Sequence, residues 1–390
     1  MTKVRHARPV TTVLLIAAVV HAACAAVPAD EEGVRRSFLY LEFVSSAVFP
    51  LDGATGLPPG DRSKDYVELS PRPPGNSIGL DYVRTFSTES LLNRRIFGGW
   101  MPLEAMTLHP RIVYDRMQDN RGMNAVKFAP QDFWIRWNPG GSQRLSLRLG
   151  QFVIPYGMNP MTAPRHRFLL PLEAADLGLK WDWGLNIKGP LGKLDWEAAA
   201  TLGLGEGLHS PRLSTASERT SFLLTARLGA PTYWDIQNGL SILVGDLPAI
   251  MGPSVFGAAS ISRWRVAYDL FRRSGDYLIL SGQVACGQDG FGDDAQYVAV
   301  TGGQRSNVLG VRATLEWIIP RFQNAGLSWQ VESVRRDTST HNSDDTAALY
   351  QFSYSFTNAV SVFLAYREEA NRVMAPKSDA VYLTFVYYGR

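Results

Sequence analysis

From Arg144 to Gly150 the chain reads RLSLRLG, so Arg144, Ser146 and Arg148 alternate with Leu145, Leu147 and Leu149. In an extended strand, residues two apart share a face. The guanidinium groups therefore fall on one side and the leucines on the other. Arg136 sits in the preceding segment among Phe133, Ile135 and Trp137, in the same alternation. A guanidinium takes a carboxylate or phosphate in a planar fork. A face holding Arg136, Arg144 and Arg148 is thus suited to attracting anions, and these two segments carry no acidic residue on that face. Arg165, His166 and Arg167 follow in the next connection. They would narrow a passage if that loop turns inward, or meet lipopolysaccharide phosphates if it stays outside.

Other charged residues occupy the polar face of similar segments: Lys180, Asp182, Arg263, Arg265, Arg312 and Glu316. Opposite charges facing one another across a passage create a transverse field that biases which ions cross. Enzymatic chemistry finds less support. The chain has no GxSxG, P-loop or HExxH pattern. His109, beside Pro110, is the histidine of a candidate strand; a lipase on an outer wall would need it paired with a serine and an orienting third group. Asp289-Gly-Phe-Gly-Asp-Asp294 lacks EF-hand spacing and reads as turn chemistry. Cys24 and Cys286 form no CxxC pair. No catalytic residue, metal or cofactor is expected.

The elements that would position these residues are strands. Leu177 to Ile187 alternates Leu, Leu, Trp, Trp, Leu and Ile against polar or small residues, and the pattern recurs at Leu194–Leu202, Leu309–Trp317, Leu327–Val331 and Tyr350–Phe356. Connections alternate between short ones, such as Gly189–Gly192 and Arg272–Gly275, and long ones, such as 155–176 and 286–305. Strands of about ten residues, tight turns at one end and long loops at the other are the mark of an outer-membrane barrel. The sequence predicts an all-β, transmembrane antiparallel β-barrel of about 16 strands, of the outer-membrane porin type. Trp137, Trp181, Trp196, Trp317, Tyr387 and Tyr388 are expected at headgroup level.

Composition agrees. Hydrophobic residues make up 45% and charged residues 19%, and mean hydropathy is −0.09. No run reaches the ~18 apolar residues of a membrane helix. Lys3, Arg5 and Arg8, the apolar run Val13–Val20 and the small residues Ala22–Ala26 read as a secretory signal peptide over 1–26. Without it, basic and acidic residues balance at 36 each, which gives a nucleic-acid partner no support. Residues 27–75 are expected to be an N-terminal extension, a lumen plug or an extra strand, and 76–390 the barrel.

Gly150-Gln151-Phe152 followed by Pro155-Tyr156-Gly157 resembles an element of the phosphate-selective porin O/P family. That resemblance implies a 16-stranded barrel, usually a homotrimer, that passes anions. This chain departs from the family in having no lysine-rich segment and in ending on Gly389-Arg390. Patterning and resemblance together lead to one expectation: a passive channel for small hydrophilic solutes, anions among them, set in the lipid and lipopolysaccharide of the bacterial outer membrane. Its alternative is a barrel sleeve that holds a partner protein, such as a cytochrome, across that membrane.

Overall fold

The computed structural model describes residues 37–50, 76–86, 101–114, 126–128, 132–139, 145–158, 181–203, 222–230, 236–248, 260–289, 306–322, 324–337, 344–371 and 378–389. In chain order these form β1 (Ser37–Pro50), β2 (Asn76–Thr85), β3 (Leu103–Leu108), β4 (Arg111–Tyr114), β5 (Val126–Phe128), β6 (Phe133–Trp137), β7 (Ser146–Val153), β8 (Trp181–Leu191) and β9 (Leu194–Thr201). There follow β10 (Phe222–Gly229), β11 (Ile236–Pro248), β12 (Ser260–Ser274), β13 (Leu278–Asp289), β14 (Ser306–Ile318), β15 (Ala325–Asp337), β16 (Asp344–Ser355), β17 (Val360–Asn371) and β18 (Ser378–Gly389).

These segments make a closed antiparallel barrel of 16 strands. Two strands are each built from two segments. β3 and β4 both pair with β2 and are separated by His109-Pro110. β5 and β6 continue the same alignment, pairing with β4 and β3. Proline has no N–H for the ladder, so the break falls there. Hydrogen bonding nevertheless bridges it: Leu80 N–H donates to Pro110 C=O at 3.1 Å and His109 N–H to Asp132 C=O at 2.7 Å.

β1 closes the sheet. It pairs with β2 from Ser37↔Arg84 to Val44↔Ser77, and with β18 from Leu41↔Gly389 to Pro50↔Ala380. Of the roles open to residues 27–75, the segment 37–50 takes that of a strand, and the barrel begins at Ser37 rather than at 76. Hydrocarbon is the reason: without β1, both β2 and β18 would present an unpaired backbone edge to lipid. Residues 27–36 and 51–75 lie outside the described residues. Inside the seam, the Tyr388 hydroxyl reaches past β1 and donates to Asp81 Oδ2 on β2 at 2.7 Å, and its ring stacks on Tyr40 at 5.0 Å.

Burial follows the period of two that the sequence predicts. Along β11, Gln237, Gly239, Ser241, Leu243 and Gly245 are buried, while Leu240 and Ile242 are exposed. β10 and β12–β18 repeat this with an exposed belt that includes Leu224, Leu270, Val284, Leu309, Phe352 and Leu364. In water such a belt would be a liability; in a bilayer it is the contact surface. At the short-turn end Tyr277, Trp317, Phe322, Tyr354 and Phe356 are exposed, in keeping with an aromatic girdle. Two expected girdle members behave otherwise. Trp181, at the opposite end, is 1% exposed. Tyr388 turns inward because it shares the parity of buried Tyr382 and Thr384, and its hydroxyl there donates to Asp81.

Two predictions follow from closure and belt. Leu240→Arg should cost about 2–4 kcal/mol if that position lies near the bilayer midplane, measured by equilibrium unfolding in lipid vesicles. Tyr388→Phe should cost about 1 kcal/mol through the lost seam hydrogen bond, read by the same titration.

Candidate functional site

After β7 the chain enters the barrel. Ile154, Tyr156 and Met158 are fully buried. Ile154 and Tyr156 pack with Leu223 of β10, Leu243 of β11, Ala267 of β12 and Ala285 of β13. Met158 packs on Phe271 and Ile279. All the wall positions in the first cluster lie on the face opposite the exposed leucines. The segment thus crosses from β7, past β8 and β9, to dock on the inner wall of β10–β13. Two backbone groups are pinned there. Gly157 N–H donates to Ser241 Oγ at 3.0 Å and Met158 N–H to Gln283 Oε1 at 3.0 Å.

Sequence reading takes this loop to begin at Pro155, and the described part of it, as far as Met158, runs inward. Gly150 has φ 130°, and a Cβ on it would lie 2.1 Å from the Phe133 carbonyl oxygen. Only glycine allows β7 to approach β6 so closely at this angle. Gly157 has φ 55°, and a Cβ there would stand 2.5 Å from the Gln283 amide. A side chain at 157 would push the segment off the wall.

The arginines beside this segment form a row with acids at its ends. Arg136 and Arg148 are directly opposed across β6 and β7. Arg136 Nη2 donates to Glu104 Oε1 at 3.0 Å, with Nε 2.9 Å from Oε2. Arg148 Nη2 donates to Glu197 Oε1 at 2.7 Å and to Asn186 Oδ1 at 3.1 Å, so the bond spans from β7 over β8 to β9. Asn186 Nδ2 also donates to Glu197 Oε1, at 2.9 Å. Both guanidiniums lie over the Trp134 ring, 5.6 and 5.5 Å from its centroid, and Arg148 also lies 4.8 Å from that of Phe152. Such ring faces attract cations, which eases the crowding of two like charges. The acids come from β3 and β9, outside the two strands that carry the arginines.

Elsewhere the inner wall is also paired. Arg227 and Asp269 form a fork, Nη2 to Oδ1 at 2.7 Å and Nε to Oδ2 at 3.1 Å. Arg312 Nε lies 3.8 Å from Glu332 Oε1. Arg263, Arg265, Arg312 and Glu316 lie on the inner face as expected, yet all are buried rather than open to a water-lined surface. Asp182 is buried as well, and its carboxylate accepts from the backbone: Oδ1 accepts Trp183 N–H at 2.9 Å and Oδ2 accepts Gly203 N–H at 2.6 Å. Arg144, Lys180, Arg165, His166 and Arg167 lie outside the described residues.

His109 does not fit the outer-wall lipase arrangement. It is fully buried, with Nε2 3.4 Å from Glu42 Oε2 and Arg111 Nη1 3.9 Å from the other carboxylate oxygen.

Sequence reading missed Glu104, Ser241 and Gln283. Glu104 lies at a register shift between Leu103 and Ala105, and such a shift breaks any argument from alternation. Ser241 and Gln283 look like ordinary polar wall positions until the loop lands on them. One signal was present: Ile154, Tyr156 and Met158 continue an apolar period of two beyond the strand, as a buried segment would.

Several solved structures share this architecture. The chain is similar to the anion-selective porin of Comamonas acidovorans, with TM-score 0.55 and 9% identity over 90% of this chain and 99% of that one. It is similar to the outer membrane channel DcaP of Acinetobacter baumannii, with TM-score 0.56 and 12% identity over 90% and 96%. Salmonella typhi OmpF, in complex with daunomycin, gives TM-score 0.55 and 10% identity over 90% and 97%. No family model and no curated protein matches the sequence. At these identities the likeness is one of fold. Closed barrel, exposed apolar belt and polar inner wall define a membrane-spanning β-barrel of the outer-membrane porin type.

If the two pinning hydrogen bonds hold segment 154–158 across the lumen, the double variant Ser241→Ala with Gln283→Ala removes about 1 kcal/mol for each. Its unit conductance in planar bilayers should exceed that of the unaltered protein.

Proposed function

We propose that the protein is a passive diffusion channel of the bacterial outer membrane for small hydrophilic solutes. The observation that carries this reading is the segment Ile154–Met158, pinned on the inner wall of β10–β13. A barrel of about 16 strands is too wide for its own side chains to fill. A chain segment held partway across it restricts the passage without sealing it. Arg136, Arg148, Glu104 and Glu197 would border that passage beside the segment, with Arg144, Lys180 and the loop residues Arg165, His166 and Arg167 as further lining. Buried Asp182, Arg263, Arg265, Arg312 and Glu316 would shape the wall behind it.

Membership of the phosphate-selective porin O/P family is the finer reading. It is supported by Gly150-Gln151-Phe152 and Pro155-Tyr156-Gly157, the residues that turn the chain inward. A homotrimer and contact with lipopolysaccharide belong to the same proposal. The anion-selective porin of Comamonas acidovorans bears its property in its title. Here anion preference would have to come from charges other than Arg136 and Arg148, which are salt-bridged. The sleeve alternative is not favoured, because the docked segment occupies space that a threaded partner would need.

Purified full-length protein in planar bilayers should give discrete conductance steps. A barrel that inserts but never conducts would overturn this reading.

A further inference from the structure

Beside the docked segment, Arg227 of β10 reaches over β11 to Asp269 of β12. The side chains of this pair are 6% and 0% exposed. Gly239 of β11 makes the reach possible. It is the direct partner of Asp269, and a Cβ on it would stand 2.5 Å from Arg227 Cζ. The guanidinium therefore lies flat on the wall, in a notch that only glycine leaves.

The ion pair and the segment share their neighbours. Ser241, which accepts Gly157 N–H, is the direct partner of Arg227 across β10 and β11. Gln283, which accepts Met158 N–H, is the direct partner of Asp269 across β12 and β13. On β12 itself, Asp269 lies between Ala267, clustered with Ile154 and Tyr156, and Phe271, which packs on Met158.

Resting on the channel reading above, we infer that Arg227–Asp269 is a charge lock for the constriction: segment 154–158 stays docked only while the two charges are matched beside it. A guanidinium does not deprotonate. Left buried without its carboxylate, it must regain water, and that penalty exceeds what two neutral hydrogen bonds contribute. The other acid alongside Arg227, Glu197 on β9, is already held by Arg148 and Asn186. The wall cannot part to admit water, because hydrocarbon requires its backbone to stay paired. The segment is the part that can lift. Replacing both charges with apolar side chains removes the penalty and leaves the segment seated.

The test is the unit conductance of the full chain in planar bilayers. Asp269→Leu should raise it above that of the unaltered protein, to the level of Ser241→Ala with Gln283→Ala. Gly239→Ala keeps both charges but denies the guanidinium its notch. It should raise conductance too, and it decides the matter if Asp269→Leu does not assemble. Arg227→Met with Asp269→Leu should return conductance to that of the unaltered protein. A pair that served barrel stability alone would change unfolding and leave conductance where it was. Unchanged conductance in Asp269→Leu and Gly239→Ala would overturn the inference while leaving the channel reading intact. So would a double variant that conducts as much as Asp269→Leu. An unaltered protein that never conducts would overturn both.

Discussion

Every part of this molecule depends on backbone hydrogen bonds that lipid cannot supply. A peptide group left unpaired in hydrocarbon costs several kcal/mol. β18 pairs with β1 over Leu41–Pro50, so an open edge there would strand a row of such groups. Their sum would exceed the roughly 5–15 kcal/mol by which folded proteins are usually stable. Closure is therefore a condition of existence in the membrane rather than a refinement. It explains why Ser37–Pro50 joins the barrel despite the long interval before Asn76. It also explains how the Pro110 break is tolerated: neighbouring carbonyls and amides take up the pairing on both sides.

Once the sheet is closed, its two faces meet different solvents and acquire different work. Outside, apolar side chains cover the belt and polar ones would be penalised. Inside, charge is admissible, but it comes paired. Exposed ion pairs contribute only about 0–1 kcal/mol, and buried ones are weak evidence for stability. Arg136–Glu104 and Arg148–Glu197 are therefore not what holds the barrel together. Their placement matters more for the field inside it. The wall is polar enough to face water or a polar segment, and among its described residues Arg136, Arg148, Arg227 and Arg312 each face an acid.

The inward segment couples these levels. Ile154, Tyr156 and Met158 find an apolar patch of small and aliphatic wall residues, Leu223, Leu243, Ala267 and Ala285. On a polar inner face that patch has one evident use, which is to receive them. The two backbone hydrogen bonds to Ser241 and Gln283 fix the register of docking. Residues far apart in sequence are brought together in this way, as Gly157 and Ser241 show with a separation of 84.

Much of this fold was readable from residue order alone. Alternation in segments such as Leu309–Trp317 and Leu327–Val331 assigns the inner and outer faces, because a strand has no other period and a bilayer tolerates no other exterior. The alternation of short and long connections points to a barrel with all its tight turns at one end. Arg148, Arg263, Arg265, Arg312 and Glu316 could be set on the inner face by parity alone. Parity says nothing of what lies across the lumen or two strands away. That Glu197 reaches Arg148 over β8, that Glu104 meets Arg136 at a register shift, and that Pro155-Tyr156-Gly157 turns inward were decided only in three dimensions. Local pattern determines which way a side chain points; closure of the sheet determines what it meets there.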